Sequence, residues 1–219
     1  MGRCANCHRH VGIFFNKWRK LGGAKYCLKC VPDVMEARRQ DTVRAIRAGG
    51  PLTALFAVPV VSRDIDYPSN HRRYAGLLLF TDKGIIFAQA AEYRKSDSAG
   101  AVFGAVGGLI DWYVEKKHRK GAFQAAWGQL TASAEDAMSM LDAATQVFFF
   151  PLQEIRKLSG GSANCRLKAG KRSILFQWEG GKKAIGPYRE LFNEYKQAVK
   201  TGRGVPSKDS TFDLTPHKQ

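Results

Sequence analysis

Leu77-Leu78-Leu79-Phe80-Thr81-Asp82-Lys83-Gly84-Ile85-Ile86-Phe87 is the stretch on which the fold turns. Two apolar runs flank four residues of turn chemistry, with Asp82 and Gly84 suited to a tight reversal. The pattern predicts a β-hairpin with strands over 74–80 and 85–90. Upstream, residues 52–61 form another β-rich run ending in Arg63-Asp64, and a loop over 65–73 follows with Pro68, Ser69 and Asn70. Downstream, residues 147–150 lead through Pro151-Leu152-Gln153-Glu154-Ile155 as a strand with a kink. Residues 165–169 and 173–178 flank Gly170-Lys171-Arg172, a second hairpin. Pro187 then opens a last helix whose Leu191, Phe192, Tyr195 and Val199 make one buried face.

The N-terminus carries a different signal. Cys4/Cys7 and Cys27/Cys30 are two Cys-x-x-Cys pairs separated by nineteen residues, a spacing expected of a zinc module. Two such turns complete a tetrahedral shell of four sulfurs, the closed geometry of structural Zn2+. His8 and His10 stand beside the first pair and are candidate substitutes or orienting groups. Residues 1–32 resemble a zinc ribbon on the strength of these knuckles, with a short apolar strand over 11–15 and a Gly22-Gly23 turn. Trp18 either stacks on a nucleic-acid base or covers the metal site. Cys165, the fifth cysteine, reads as a buried small hydrophobe.

Residues 33–51 read as a basic helical linker. Asp33 is placed to cap it and Glu36, three residues on, completes a capping-box pattern. Val34, Ala37, Thr42/Val43 and Ile46 recur at helical spacing, with Arg38, Arg39, Arg44 and Arg47 on other faces, and Gly49-Gly50-Pro51 ends the segment.

The hairpin at 77–87, followed by the kinked strand, a second hairpin and a closing helix, resembles bacterial pleckstrin-homology-like, GRAM-type domains over residues 52–200. The resemblance implies an α+β chain: a small zinc ribbon plus an antiparallel β-barrel or sandwich closed by a C-terminal helix. It also implies lipid or protein binding. Arg63, Arg72 and Arg73 then stand where phosphate contacts are plausible, although a solvated loop explains the trio as well. A glycine-rich helical insertion, about 92–145, interrupts the pattern, and an amphipathic helix over 133–145 ends it. Residues 201–219 are expected to be a disordered tail.

Within the insertion, Gly100, Gly104 and Gly108 fall four apart. On a helix they form a flat face open to another backbone. Three readings stay open: packing on its own domain, a homodimer through the glycines, or a place in a membrane interface. Trp112, Tyr113 and the cluster Lys116, Lys117, Arg119 and Lys120 suit the last. The uncharged run is thirteen residues, short of the roughly twenty that span a bilayer.

The chain has 219 residues, a formal net charge of +16 and 44% hydrophobic residues, enough for one sizeable domain plus a small module. Such a charge attracts phosphate, whether of nucleic acid, ribosome or anionic lipid. Residues 1–50 hold eleven Lys/Arg against Asp33, Glu36 and Asp41. Met1-Gly2-Arg3-Cys4 opens without an apolar segment, so the expectation is a reducing, cytoplasmic setting with peripheral attachment to a membrane left open. Gly170-Lys171 lacks the rest of a phosphate loop, and there is no His-Glu-x-x-His or Gly-x-Ser-x-Gly. The expected function is a non-catalytic zinc-containing adaptor for a membrane surface or protein partner. The rival is a nucleic-acid- or ribosome-binding protein using Arg3, Arg9, Lys17, Trp18, Arg19, Lys20 and Lys25.

Overall fold

The structure, a computed structural model, describes residues 2–12, 17–63, 72–94 and 137–202. The Gly100/Gly104/Gly108 face, the Lys116, Lys117, Arg119 and Lys120 cluster, the strand expected beyond Gly12, the loop after Arg63 and the tail beyond Gly202 lie outside these residues. In chain order, β1 (Gly2–Arg3), β2 (His10–Val11), β3 (Trp18–Leu21) and β4 (Ala24–Cys27) form the N-terminal module. Helix α1 (Val31–Ala48) follows, then β5 (Ala54–Arg63), β6 (Arg72–Thr81), β7 (Gly84–Arg94), α2 (Ala137–Ala143), β8 (Gln146–Pro151), β9 (Ile155–Gly160), β10 (Asn164–Ala169) and β11 (Arg172–Trp178). Helices α3 (Lys182–Ile185) and α4 (Arg189–Thr201) close the described chain.

The central hairpin forms where the sequence places it, with Leu78 opposite Phe87 in an antiparallel ladder. Its turn is tied by one side chain. The Thr81 hydroxyl donates to the Gly84 carbonyl at 2.7 Å and accepts from the Gly84 N–H at 3.1 Å. Asp82 accepts the Thr53 N–H at 2.9 Å, which sets where β5 begins. Gly84 has φ +154°, and a Cβ there would lie 2.3 Å from the Phe150 carbonyl oxygen. Only glycine lets β8 approach so closely.

The seven longer strands make one antiparallel sheet in the order β8-β7-β6-β5-β11-β10-β9. It is open: among the described residues no ladder joins β8 to β9, so the barrel named as one form of the expected fold is not closed. The reason lies at Pro151. Proline cannot continue a ladder as donor, the Leu152 N–H turns to the Lys83 carbonyl at 2.9 Å, and a 3-10 turn over Leu152–Glu154 carries the chain to the opposite edge.

Among the described side chains, β5–β8 bury apolar residues on both faces. Phe56, Leu78, Phe80 and Phe87 meet Phe192 and Tyr195 of α4 on one side. Leu77, Leu79, Ile86 and Ala88 meet Met140 and Leu141 of α2 and Val43 and Ile46 of α1 on the other. Apolar residues on consecutive positions are what a two-sided burial requires. Phe80 packs edge-on against Phe192 and Tyr195, at 5.6 and 5.2 Å between ring centroids, and the Tyr195 hydroxyl donates to the Thr81 carbonyl at 3.1 Å. The closing helix therefore clamps the turn of the founding hairpin. Pro187 falls in a 3-10 turn just before α4.

Helix α1 departs from the expected linker in two respects. It begins at Val31, N-capped by Cys30 with no side-chain cap bond, because the second knuckle runs directly into it. Asp33 thus lies inside the first turn, and Glu36 is bound instead to Arg39 at 2.6 Å and Gln40 at 2.8 Å. The helix is also a packing layer: Val43 and Ile46 are buried, and Arg47 pairs with Asp142 at 2.6 Å. Cys165 is fully buried, and that burial pushes its thiol above the usual range.

Candidate metal centre

Cys4 and Cys7 lie in a turn that the His8 N–H closes on the Cys4 carbonyl at 2.9 Å. His8 takes φ +58°, the left-handed conformation that brings the chain back toward β2. The Ala5 N–H donates to the Lys25 carbonyl at 2.8 Å, stitching the first knuckle to β4. Cys27 ends β4, the Cys30 N–H donates to its carbonyl at 3.0 Å, and α1 starts at the next residue. Backbone hydrogen bonds therefore shape the turn of each pair.

The four sulfurs lie within 4.8 Å of one another, and those of Cys7 and Cys27 are 3.6 Å apart. A tetrahedron with metal–sulfur bonds of about 2.3 Å has edges of about 3.8 Å, so the cluster has the size of a four-thiolate site. All five cysteines are free thiols. Neither His8 nor His10 belongs to the cluster of ligand atoms. Val11 is buried against the cysteines, and Trp18 and Tyr26 pack on them half-buried. The Lys25 ammonium lies 4.7 Å from the centre of the Trp18 ring.

The cluster's protons are unevenly held. Burial opposes ionisation of Cys4, but the N–H groups of Cys7, Cys27 and Asn6 outweigh it and hold the thiol at about 6. The Cys30 N–H lowers Cys27 against its burial. The Asn6 side chain favours ionisation of Cys30, yet the sulfurs of Cys27 and Cys7 together with burial push it up to about 12. Cys4 and Cys27 thus ionise the more readily, and Cys30 resists because negative charges crowd one small volume. A divalent cation removes that restriction, so binding is coupled to proton release. A shell of four sulfurs leaves no open position for water or substrate, which suits a structural role.

The other sequence-derived candidates scatter. Arg9 and Lys17 are exposed and Lys20 is half-buried. Arg19 is only 8% exposed: its guanidinium donates to the Tyr74 hydroxyl and, at 3.6 Å, to the Met35 sulfur. It holds the module on the sheet rather than facing a polyanion. Arg63 ends β5 opposite Arg73 near the start of β6, and Arg72 lies opposite Arg94. The trio belongs to strand ends rather than to a loop.

Two features carried no sequence signal of their own. A groove of about 460 Å³ runs between α1 and β8, with Met35, Phe148 and Phe149 beside Arg38, Arg39, Asp41 and Arg172. Its walls come from segments more than 100 residues apart, as the Arg39 bond to the Asp142 carbonyl at 3.1 Å illustrates. The second is a row of cations on β9 and β10. Among the described residues no helix is long and apolar enough to cross a membrane.

No protein-family model matches the chain, and no curated protein matches it in sequence. One solved structure, the crystal structure of the C-terminal domain of an unknown protein from Leishmania infantum, is similar at 10% identity with a TM-score of 0.34. The match covers 71% of this chain and 94% of that one, and at such a score it carries no conclusion.

Proposed function

We propose that the chain is a non-catalytic adaptor in which a zinc ribbon, its ion held by Cys4, Cys7, Cys27 and Cys30, is fixed on a pleckstrin-homology-like domain that binds a protein partner. The closed set of four thiolates supports structural zinc over a catalytic ion. The succession of hairpin, kinked strand, second hairpin and closing helix supports the pleckstrin-homology-like reading. The observation that carries the partner is the groove between α1 and β8. Met35, Phe148 and Phe149 give it an apolar wall, and Arg172 gives it an exposed cation. That chemistry suits a peptide with an apolar side chain next to a carboxylate. A membrane surface is the weaker fit for the described residues, where Leu28 is the one large hydrophobic that is exposed.

The test is selection from a random peptide library on full-length, metal-loaded protein. The reading expects acidic, apolar peptides whose binding is lost in Arg172→Glu. Peptides that bind Arg172→Glu as tightly as the parent would count against the groove. Adsorption to phosphatidylserine vesicles without peptide selection would return the membrane as the partner.

A second reading, nucleic-acid or ribosome binding through the ribbon, is favoured by one fact. Residues 1–32 contain no Asp or Glu, so the exposed Arg9 and Lys17 have no local counter-charge. Salt-sensitive retention on RNA or DNA, reduced in Arg9→Gln/Lys17→Gln, would support it.

A further inference from the structure

We propose that the outward face of β9, β10 and β11 binds the phosphate backbone of double-stranded nucleic acid. This goes beyond the readings above, since it uses neither the ribbon nor the groove. Strand β10 alternates without exception: Cys165, Leu167 and Ala169 are buried, while Asn164, Arg166 and Lys168 are exposed. Register sets Lys157 of β9 directly opposite Lys168, and Ser159 opposite Arg166. Across the other ladder, Ser173 faces Lys168 and Gln177 faces Asn164. The result is a rank of cations among small hydroxyls and amides. None of the three strands contains Asp or Glu.

Lys157 opposite Lys168 is an arrangement that works against sheet formation, because like charges directly across a ladder repel. A polyanion on this face would relieve it. Strands are about 4.8 Å apart and alternate residues about 7 Å apart along each strand, so the charges form a close grid. Duplex nucleic acid carries one negative charge per roughly 1.7 Å of axis and can meet several of these cations at once. Serine, asparagine and glutamine are also usual donors to phosphate and sugar oxygens.

The same face argues against other occupants. Single strands are held largely by aromatic stacking, and the aromatic residues of β11, Phe176 and Trp178, are buried. Membranes reward apolar area that enters the interface, and Leu175 is already half-buried. What is left is charge and hydrogen bonding on a sheet face, the terms by which a protein grips a duplex backbone without reading its bases.

The experiment measures binding of full-length, metal-loaded protein to fluorescent mixed-sequence DNA and RNA duplexes over a range of salt. Each lost phosphate contact removes about 0.9 from the log–log salt slope, so Lys157→Gln/Arg166→Gln/Lys168→Gln should be shallower by about 2.7. Its melting temperature should be unchanged or higher, which separates lost binding from lost folding. The charge-preserving Lys157→Arg/Lys168→Arg should bind like the parent. A triple variant with the parental slope would overturn the proposal. So would tighter binding to single strands than to duplexes, or a triple variant that loses phosphatidylserine vesicles but keeps duplexes. None of these residues lines the α1–β8 groove, so failure here leaves the peptide reading standing.

Discussion

The Arg19 guanidinium donates to the hydroxyl of Tyr74, 55 residues away, and lies 5.9 Å from the centre of the same ring. One cation on β3 of the small module is thereby seated on β6 of the main sheet. Arg38 adds a second tie, donating to the Leu21 carbonyl at 3.1 Å. A buried charge is tolerated only when it is well partnered, so this contact seats the module on the sheet.

Tyr74→Phe removes the hydroxyl and leaves the arginine buried with one acceptor fewer. The expected loss is about 1–3 kcal/mol in the full chain. In a Cys27→Ser background, where the module is expected to unfold and Arg19 to become solvated, the same substitution should cost much less. Denaturant unfolding of the four proteins checks both statements, and equal costs in the two backgrounds would break the link.

Gly84→Ala places a methyl 2.3 Å from the Phe150 carbonyl oxygen, a contact with backbone that no side chain can relieve. The expected destabilisation is about 2 kcal/mol or more. Gly170 is the control: its φ is +55°, but nothing lies within 4 Å of an added Cβ. Gly170→Ala should cost about 1–2 kcal/mol, from conformation alone. Thermal melts that fail to separate the two would mean the β7–β8 approach is looser than described.

Much of this fold is legible in the residues, because turns and hairpins are local. Asp82 and Gly84, Gly170-Lys171-Arg172 and the Pro151 kink mark their reversals within a few positions. Long-range partners are not marked. The unbroken run 77–80 announces two-sided burial only once α1 and α4 are seen to cover opposite faces. Helix α1 reads as a basic spacer because Val43 and Ile46 are outnumbered by arginines, yet these two fill the core. At the metal site the spacing of the cysteines suffices. Arg19 and Arg9 look alike in sequence, and only Tyr74 distinguishes the buried one from the exposed one.

Tyr195 reports on how α4 holds the hairpin. Its hydroxyl donates to the Thr81 carbonyl in the core, and burial pushes its ionisation above the usual range. Tyr195→Phe keeps the ring against Phe80 and loses only that bond, for an expected cost of about 1–2 kcal/mol. Phe192→Ala empties the centre of the same cluster and should cost about 3–5 kcal/mol. The order of the two in urea midpoints checks the assignment.

Acid should act through Glu36. Hydrogen bonds from Arg39 and then Gln40 hold its carboxyl at about 2. Its folded value lies below its unfolded value of about 4.3, so its contribution is complete above that pH and fades as pH falls toward about 2. Glu36 is solvent-exposed and Arg39 half-buried, and the effect should stay below about 1 kcal/mol. Glu36→Gln should flatten this part of the acid limb, and an unchanged limb would show that Glu36 is not the group responsible.

The four-sulfur cluster is tested most directly by the metal content of freshly purified, reduced protein. The account predicts one tightly held zinc ion per chain, released with proton uptake as pH falls. It also predicts that Cys27→Ser abolishes stoichiometric zinc while residues 52–200 stay folded. Protein that is fully folded through Cys4–Cys30 yet carries no metal by elemental analysis would contradict it.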